Sequence, residues 1–88
     1  MDISFSDAAK AVEDRLFADA DLRPYNKLWD VLEQILSDPE QAKHAPWTNY
    51  VSSRRLWGTK VPGTNYTVFW RVDPGAVIVV LLVEDQGL

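Results

Sequence analysis

Two guanidinium groups and an indole stand together at Arg54-Arg55-Leu56-Trp57, and two further cations, Lys60 and Arg71, follow. Such a cluster can handle phosphate: the cations neutralise its oxygens, and the ring offers a face on which a base stacks. The same residues also have a plainer role, as a solvated strand start, a core tryptophan and two exposed strand positions. Trp47, in a polar stretch, either plugs the edge of a sheet or meets a partner protein. His44 is the single imidazole and can pass a proton near neutral pH, although its Lys-His-Ala-Pro setting is that of a surface loop. Glu84 is either a general base or the polar end of an apolar strand.

Composition narrows the chemistry. The chain has 88 residues, 47% of them hydrophobic with four Trp, three Tyr and three Phe, which is too rich for a disordered segment and suits one small domain over 1–88. With no cysteine there is no disulfide framework, thiolate zinc site or cysteine nucleophile. Neither a metal nor a cofactor is implied. The longest apolar run, Ala76 to Val83, is far short of the roughly 20 residues of a membrane span. The opening Met1-Asp2-Ile3-Ser4-Phe5 has neither the basic start nor the apolar stretch of a signal peptide, so a cytoplasmic protein is expected. Net charge is −4, unevenly spread. Residues 1–42 hold four Lys/Arg against ten Asp/Glu, and residues 43–88 hold five against three. The basic second half suits a polyanion, whereas a pI of about 4.7 argues against a nucleic-acid domain.

Few elements are available to position these groups. Ile3 and Phe5 alternate with polar neighbours, as in a short strand or extended arm. Ser6 can cap a helix carrying Ala9, Val12, Leu16 and Ala20 at helical spacing. Pro24 suits the first turn of a second helix, whose stripe is Tyr25, Leu28, Leu32, Ile35 and Leu36. Ser37-Asp38-Pro39 ends it. Residues 40–53 read as a polar loop. The period then changes to two: Arg54 to Val61 is a candidate strand, and Pro62-Gly63 a turn. Tyr66 to Val72 is a β-branched and aromatic strand, and Asp73-Pro74-Gly75 a second turn. Ala76 to Val83 is apolar on both faces, so it is expected inside the sheet and covered on each side. The expectation is an α+β fold of order β-α-α-β-β-β, a helical hairpin packed on one face of a small, mainly antiparallel sheet.

In this order, and in Arg23-Pro24-Tyr25, the Leu28 to Leu36 stripe, Pro39, Arg55-Leu56-Trp57-Gly58-Thr59-Lys60-Val61 and Tyr66-Thr67-Val68-Phe69-Trp70-Arg71-Val72-Asp73, the chain resembles a divergent member of the RelE/ParE superfamily of bacterial toxin–antitoxin modules. The resemblance implies a cytoplasmic toxin-module protein of the kind linked to plasmid stabilisation, held by an antitoxin that wraps it. One branch of that superfamily cuts messenger RNA on the ribosome and the other poisons DNA gyrase. For the cutting branch, the resemblance places catalytic cations at Lys60 and Arg71, with Arg54 and Arg55 able to reach the same face or its rim. Trp57 and Trp47 stand beside them as RNA- or partner-binding candidates on their own residue types and settings. The carry-over is partial: Thr67 stands where the family commonly has Arg, and the basic or aromatic tail is replaced by Glu84-Asp85-Gln86-Gly87-Leu88. Carboxylates there repel a scissile phosphate. The first expectation is therefore a toxin-module protein acting through an antitoxin-like partner without the full RNA-cleaving set. The alternatives are an active mRNA endoribonuclease, with RNA or the ribosome as partner, or an unrelated α+β protein-interaction domain that dimerises through a strand edge.

Overall fold

A computed structural model describes residues 1–85. Its elements are β1 (Asp2–Phe5), α1 (Asp7–Ala18), α2 (Arg23–Ser37), α3 (Pro39–Ala42), β2 (Thr48–Val51), β3 (Leu56–Lys60), β4 (Tyr66–Asp73) and β5 (Ala76–Glu84). The strands form one five-stranded sheet of order β1-β5-β4-β3-β2. Every neighbouring pair is antiparallel except β1 with β5. The expected fold class holds. One correction is the stretch 40–53, which is not a loop throughout: it contains the end of α3 and an additional strand, β2, which becomes one edge of the sheet.

Ser6 organises the first junction. Its hydroxyl oxygen accepts from the Ala9 amide at 3.1 Å, capping α1. Its hydroxyl proton goes to the carbonyl of Val80, and its amide donates to Val79 at 2.9 Å. Val80 is the extra residue of a bulge, since Phe69 pairs with Leu81 while Trp70 pairs with Val79. One serine thus caps a helix, extends the β1 ladder and satisfies a carbonyl that the bulge displaces. The helix ends at Ala18, short of the expected Ala20, because Asp19 already has extended backbone.

The core lies between the helices and one sheet face. Leu28, Leu32 and Ile35 of α2, with Ala9 and Leu16 of α1, pack on Val68, Trp70, Val77 and Val79. Tyr66 and Trp70 are core residues, as the period-two pattern indicates. Against expectation, β5 is covered on one side only. It does lie inside the sheet, between β1 and β4, but Ile78 and Leu81 are half-buried and Val83 is 43% exposed. Two helices and a single turn of a third supply one covering layer, and the other face is left open. Among the described residues no helix is long and apolar enough to cross a membrane.

Candidate functional site

Strand parity decides which side chains reach the open face. On β4, Thr67, Phe69 and Arg71 alternate with the buried Val68 and Trp70, so they point away from the helices. Lys60 is paired with Thr67 and Gly58 with Phe69. Phe69 in turn neighbours Leu81, and Arg71 neighbours Ile78. The result is an open face whose centre is Phe69 beside Leu81, with Lys60 in the neighbouring row on one side and Arg71, between Ile78 and the buried Leu56, in the neighbouring row on the other. Gly58 is required beneath this centre, because a Cβ there would lie 2.9 Å from Cε1 of Phe69.

The cations are thereby separated. Arg71 lies four residues along β4 from Thr67, the partner of Lys60, which is about 13 Å at 3.3 Å per residue. Arg71 is also half neutralised: its Nε donates to Oδ1 of Asp73 at 3.1 Å and its Nη2 to Oδ2 at 3.4 Å. Arg54 and Arg55 do not begin a strand as expected. They finish the four-residue turn 52–55 that the Val51↔Leu56 pair closes, with the Arg54 amide donating to Val51 and the Arg55 amide to Ser52. Arg55 has φ 56°, left-handed backbone that costs a non-glycine residue roughly 1–2 kcal/mol. The register puts this turn on the Arg71 side of the open face. Among the described residues Arg54, Arg55 and Lys60 make no ion pair.

Trp57 is not brought together with Arg54 and Arg55 on the open face. It faces the helices, in ring contact with Tyr50 at 4.8 Å and Trp70 at 6.3 Å, and Lys43 sits 5.5 Å over it in a cation–π contact. Glu84 pairs with Tyr66, so parity sets it on the helix side, away from Lys60. His44 is exposed in the α3–β2 connection. Of the expected tail, Glu84 ends β5 and Asp85 follows it, while residues 86–88 lie outside the described residues.

Trp47 marks a second feature, on the helix side. It is 45% exposed and borders a hollow of about 380 Å³ between α2, α3 and the start of β2. Val31 and Ile35 form one wall, Gln34 and Gln41 stand at the rim, and the buried Thr48 and Thr59 also line it. Oγ1 of Thr59 accepts from the Trp70 indole at 2.8 Å and is 2.9 Å from Oγ1 of Thr48. The sequence signal for this site is Asp38-Pro39, which serves two helices at once. It ends α2 and also begins α3, with Oδ1 of Asp38 accepting from the Gln41 amide at 3.1 Å.

No protein-family model matches the chain, and no curated protein matches it in sequence. A solved structure is similar in fold: a YoeB/ParE toxin from Agrobacterium tumefaciens, with a TM-score of 0.77 and 12% identity, over 98% of this chain and 100% of that one. At that identity the likeness shows a RelE/ParE-like fold.

Proposed function

We propose that this is a toxin-module protein of the cytoplasm that acts by binding an antitoxin-like protein segment across the open sheet face, without the residue set needed to cut RNA. The observation supporting this most is the make-up of that face. Its centre is Phe69 and Leu81, and its cations stand in the rows on either side, Lys60 beside Thr67 and Arg71 beside Ile78. A protein segment with apolar side chains along its middle and carboxylates near its ends complements both features. An RNA strand is a poorer match, because the central row of Phe69 and Leu81 offers it no cation. If Arg54, Arg55 and Lys60 each held one phosphate, the log–log salt slope would be only about −2.

The test is inducible expression of the chain alone in bacteria, beside Lys60→Ala/Arg71→Ala and Phe69→Asp/Leu81→Asp, with folding of each purified variant checked by circular dichroism. The expected result is growth arrest that survives loss of the two cations and disappears when the apolar centre is broken. Arrest relieved by the cation variant instead would install the endoribonuclease reading. Unimpaired growth with folded wild-type protein would withdraw the toxin claim.

A further inference from the structure

The hollow beside Trp47 has a preferred sign of charge. Its volume of about 380 Å³ is in the range of small-ligand sites, and Val31, Ile35 and Trp47 give it apolar walls. Much of its polar lining is indifferent to charge. The carboxamides of Gln34 and Gln41 each offer an NH2 and a carbonyl oxygen. His44, which is exposed, offers one donor and one acceptor as a neutral imidazole. Such groups can turn toward a ligand of either sign, so they orient it without selecting it. Selection falls to the groups whose polarity is fixed.

Three such features border the hollow, and all three favour a cation. Asp38 is in the lining, which includes no Lys or Arg. Its Oδ1 caps α3 by accepting from the Gln41 amide, and Oδ2 is left to accept from a ligand. The last turn of α2 also borders the hollow, through Gln34, Ile35 and Ser37. This is the negative end of a 15-residue helix with no basic residue in that turn. Pro39, four residues beyond Ile35, has no N–H to give the Ile35 carbonyl. Trp47, 45% exposed at the border, adds an indole ring, whose faces attract cations. A carboxylate would meet the first two features as like charges, and only the orienting groups would draw it. An ammonium with N–H donors meets all three and can also bond the carbonyl oxygens of Gln34 and Gln41. We propose that this hollow binds a primary ammonium carried on an apolar body, with the body against Val31, Ile35 and Trp47 and the ammonium at the α2–α3 junction. The site is on the helix side of the sheet, away from the face assigned to the protein partner, and stands independently of that assignment.

The probe is phenethylamine, titrated into the 15N-labelled full chain and followed at the Thr48 and Thr59 amides and the Trp47 indole. A ligand of this size binds with a dissociation constant on the order of 1 mM. The uncharged 2-phenylethanol, of the same shape, should bind about threefold more weakly, and phenylacetate about tenfold, as expected for charge contacts open to solvent. The N-trimethyl derivative of phenethylamine is a cation without N–H donors and should also lose about threefold. Asp38→Asn removes the charge but keeps the cap of α3, since asparagine caps as well as aspartate. It should weaken phenethylamine about threefold and leave 2-phenylethanol unchanged. Asp30→Asn, in the neighbouring hollow of Lys27 and Pro62, should leave both affinities where they are. If Asp38→Asn does not fold, the four-ligand comparison on the wild-type chain decides alone. Acetyl-Leu-Lys-Leu-amide separates the sources. Tighter binding of this peptide than of phenethylamine assigns the site to a lysine of a protein segment, and the reverse order assigns it to a free small amine. Any of four results would overturn the proposal: phenylacetate or the trimethyl cation binding as well as phenethylamine, no loss in Asp38→Asn, an equal loss in Asp30→Asn, or no shifts at these three reporters.

Discussion

Replacing Thr59 by valine is the most informative single change to the buried face. The two side chains are nearly the same size, so no cavity opens, and the effect isolates the hydroxyl. Thr59 is 3% exposed and Trp70 is 0% exposed, and Oγ1 of Thr59 is the acceptor found for the Trp70 indole. The variant therefore leaves an indole N–H buried without a partner, at a cost of about 1–3 kcal/mol. Thr48→Val removes the other member of the pair but leaves the indole bond in place. It should cost only about 0.5–1 kcal/mol, the net worth of one ordinary hydrogen bond. Urea unfolding followed by tryptophan fluorescence gives the numbers. With a slope of about 1 kcal/mol/M for so short a chain, Thr59→Val is expected to lower the midpoint by about 2 M, and Thr48→Val by less than about 1 M. Thr59→Ser keeps the acceptor and should retain the exchange protection of the Trp70 indole proton, which Thr59→Val loses. Equal destabilisation by the two valine variants, or a stronger effect at Thr48, would refute the reasoning, because the indole would then not depend on Thr59.

Three further outcomes are expected. Ser6→Ala removes the α1 cap and leaves the Val80 carbonyl at the bulge without its hydroxyl donor, so it should lower stability by about 2 kcal/mol and speed amide exchange in β1 and the first turn of α1 together. Gly58→Ala places a methyl 2.9 Å from Cε1 of Phe69 and should cost about 1–3 kcal/mol; adding Phe69→Ala should recover part of that loss, a coupling read from a double-mutant cycle. The carboxyl of Asp21 is held below its ordinary value of 3.8, chiefly by the side-chain hydrogen bonds from Arg23. Because the folded value is the lower one, the stability this contributes is present above the unfolded value and is lost as pH falls through the folded one. Carbon NMR of the Asp21 carboxyl should show the low titration, and Arg23→Gln should bring it part of the way back, because the backbone amide of residue 23 still donates to Oδ1 of Asp21.

Much of the fold was legible because its longer elements have strong periods. The stripe of Leu28, Leu32 and Ile35 and the alternation along Tyr66 to Val72 each match one regular structure. What escaped was short. α3 and β2 have four residues each, too few for a period to register, and the β2–β3 turn lacks glycine. Its left-handed position is filled by Arg55, where glycine or asparagine would have announced a hairpin. Without β2 there was no partner for β3, so Thr48 and Thr59, eleven residues apart in sequence, could not be seen as neighbours. The site residues fared similarly. Lys60 and Arg71 reach one face by parity alone, but the distance between them, the Asp73 partner of Arg71 and the inward turn of Trp57 depend on the register of three strands.

That register is held from both sides of the sheet, which keeps the open face and the hollow at a constant spacing. Thr59 and Trp70 grip each other on the helix side, and Gly58 admits Phe69 on the open side. A slip of one residue between β3 and β4 would turn every side chain of the slipped strand over. The Thr59–Trp70 hydrogen bond would be lost, and Phe69 would no longer lie over Gly58. Each contact therefore raises the cost of the slip that would break the other. Phe69 and Thr59 thus occupy adjacent positions of the same strand pair, one on each face, so the strand pair that separates the open face from the hollow is also the element that holds both in shape.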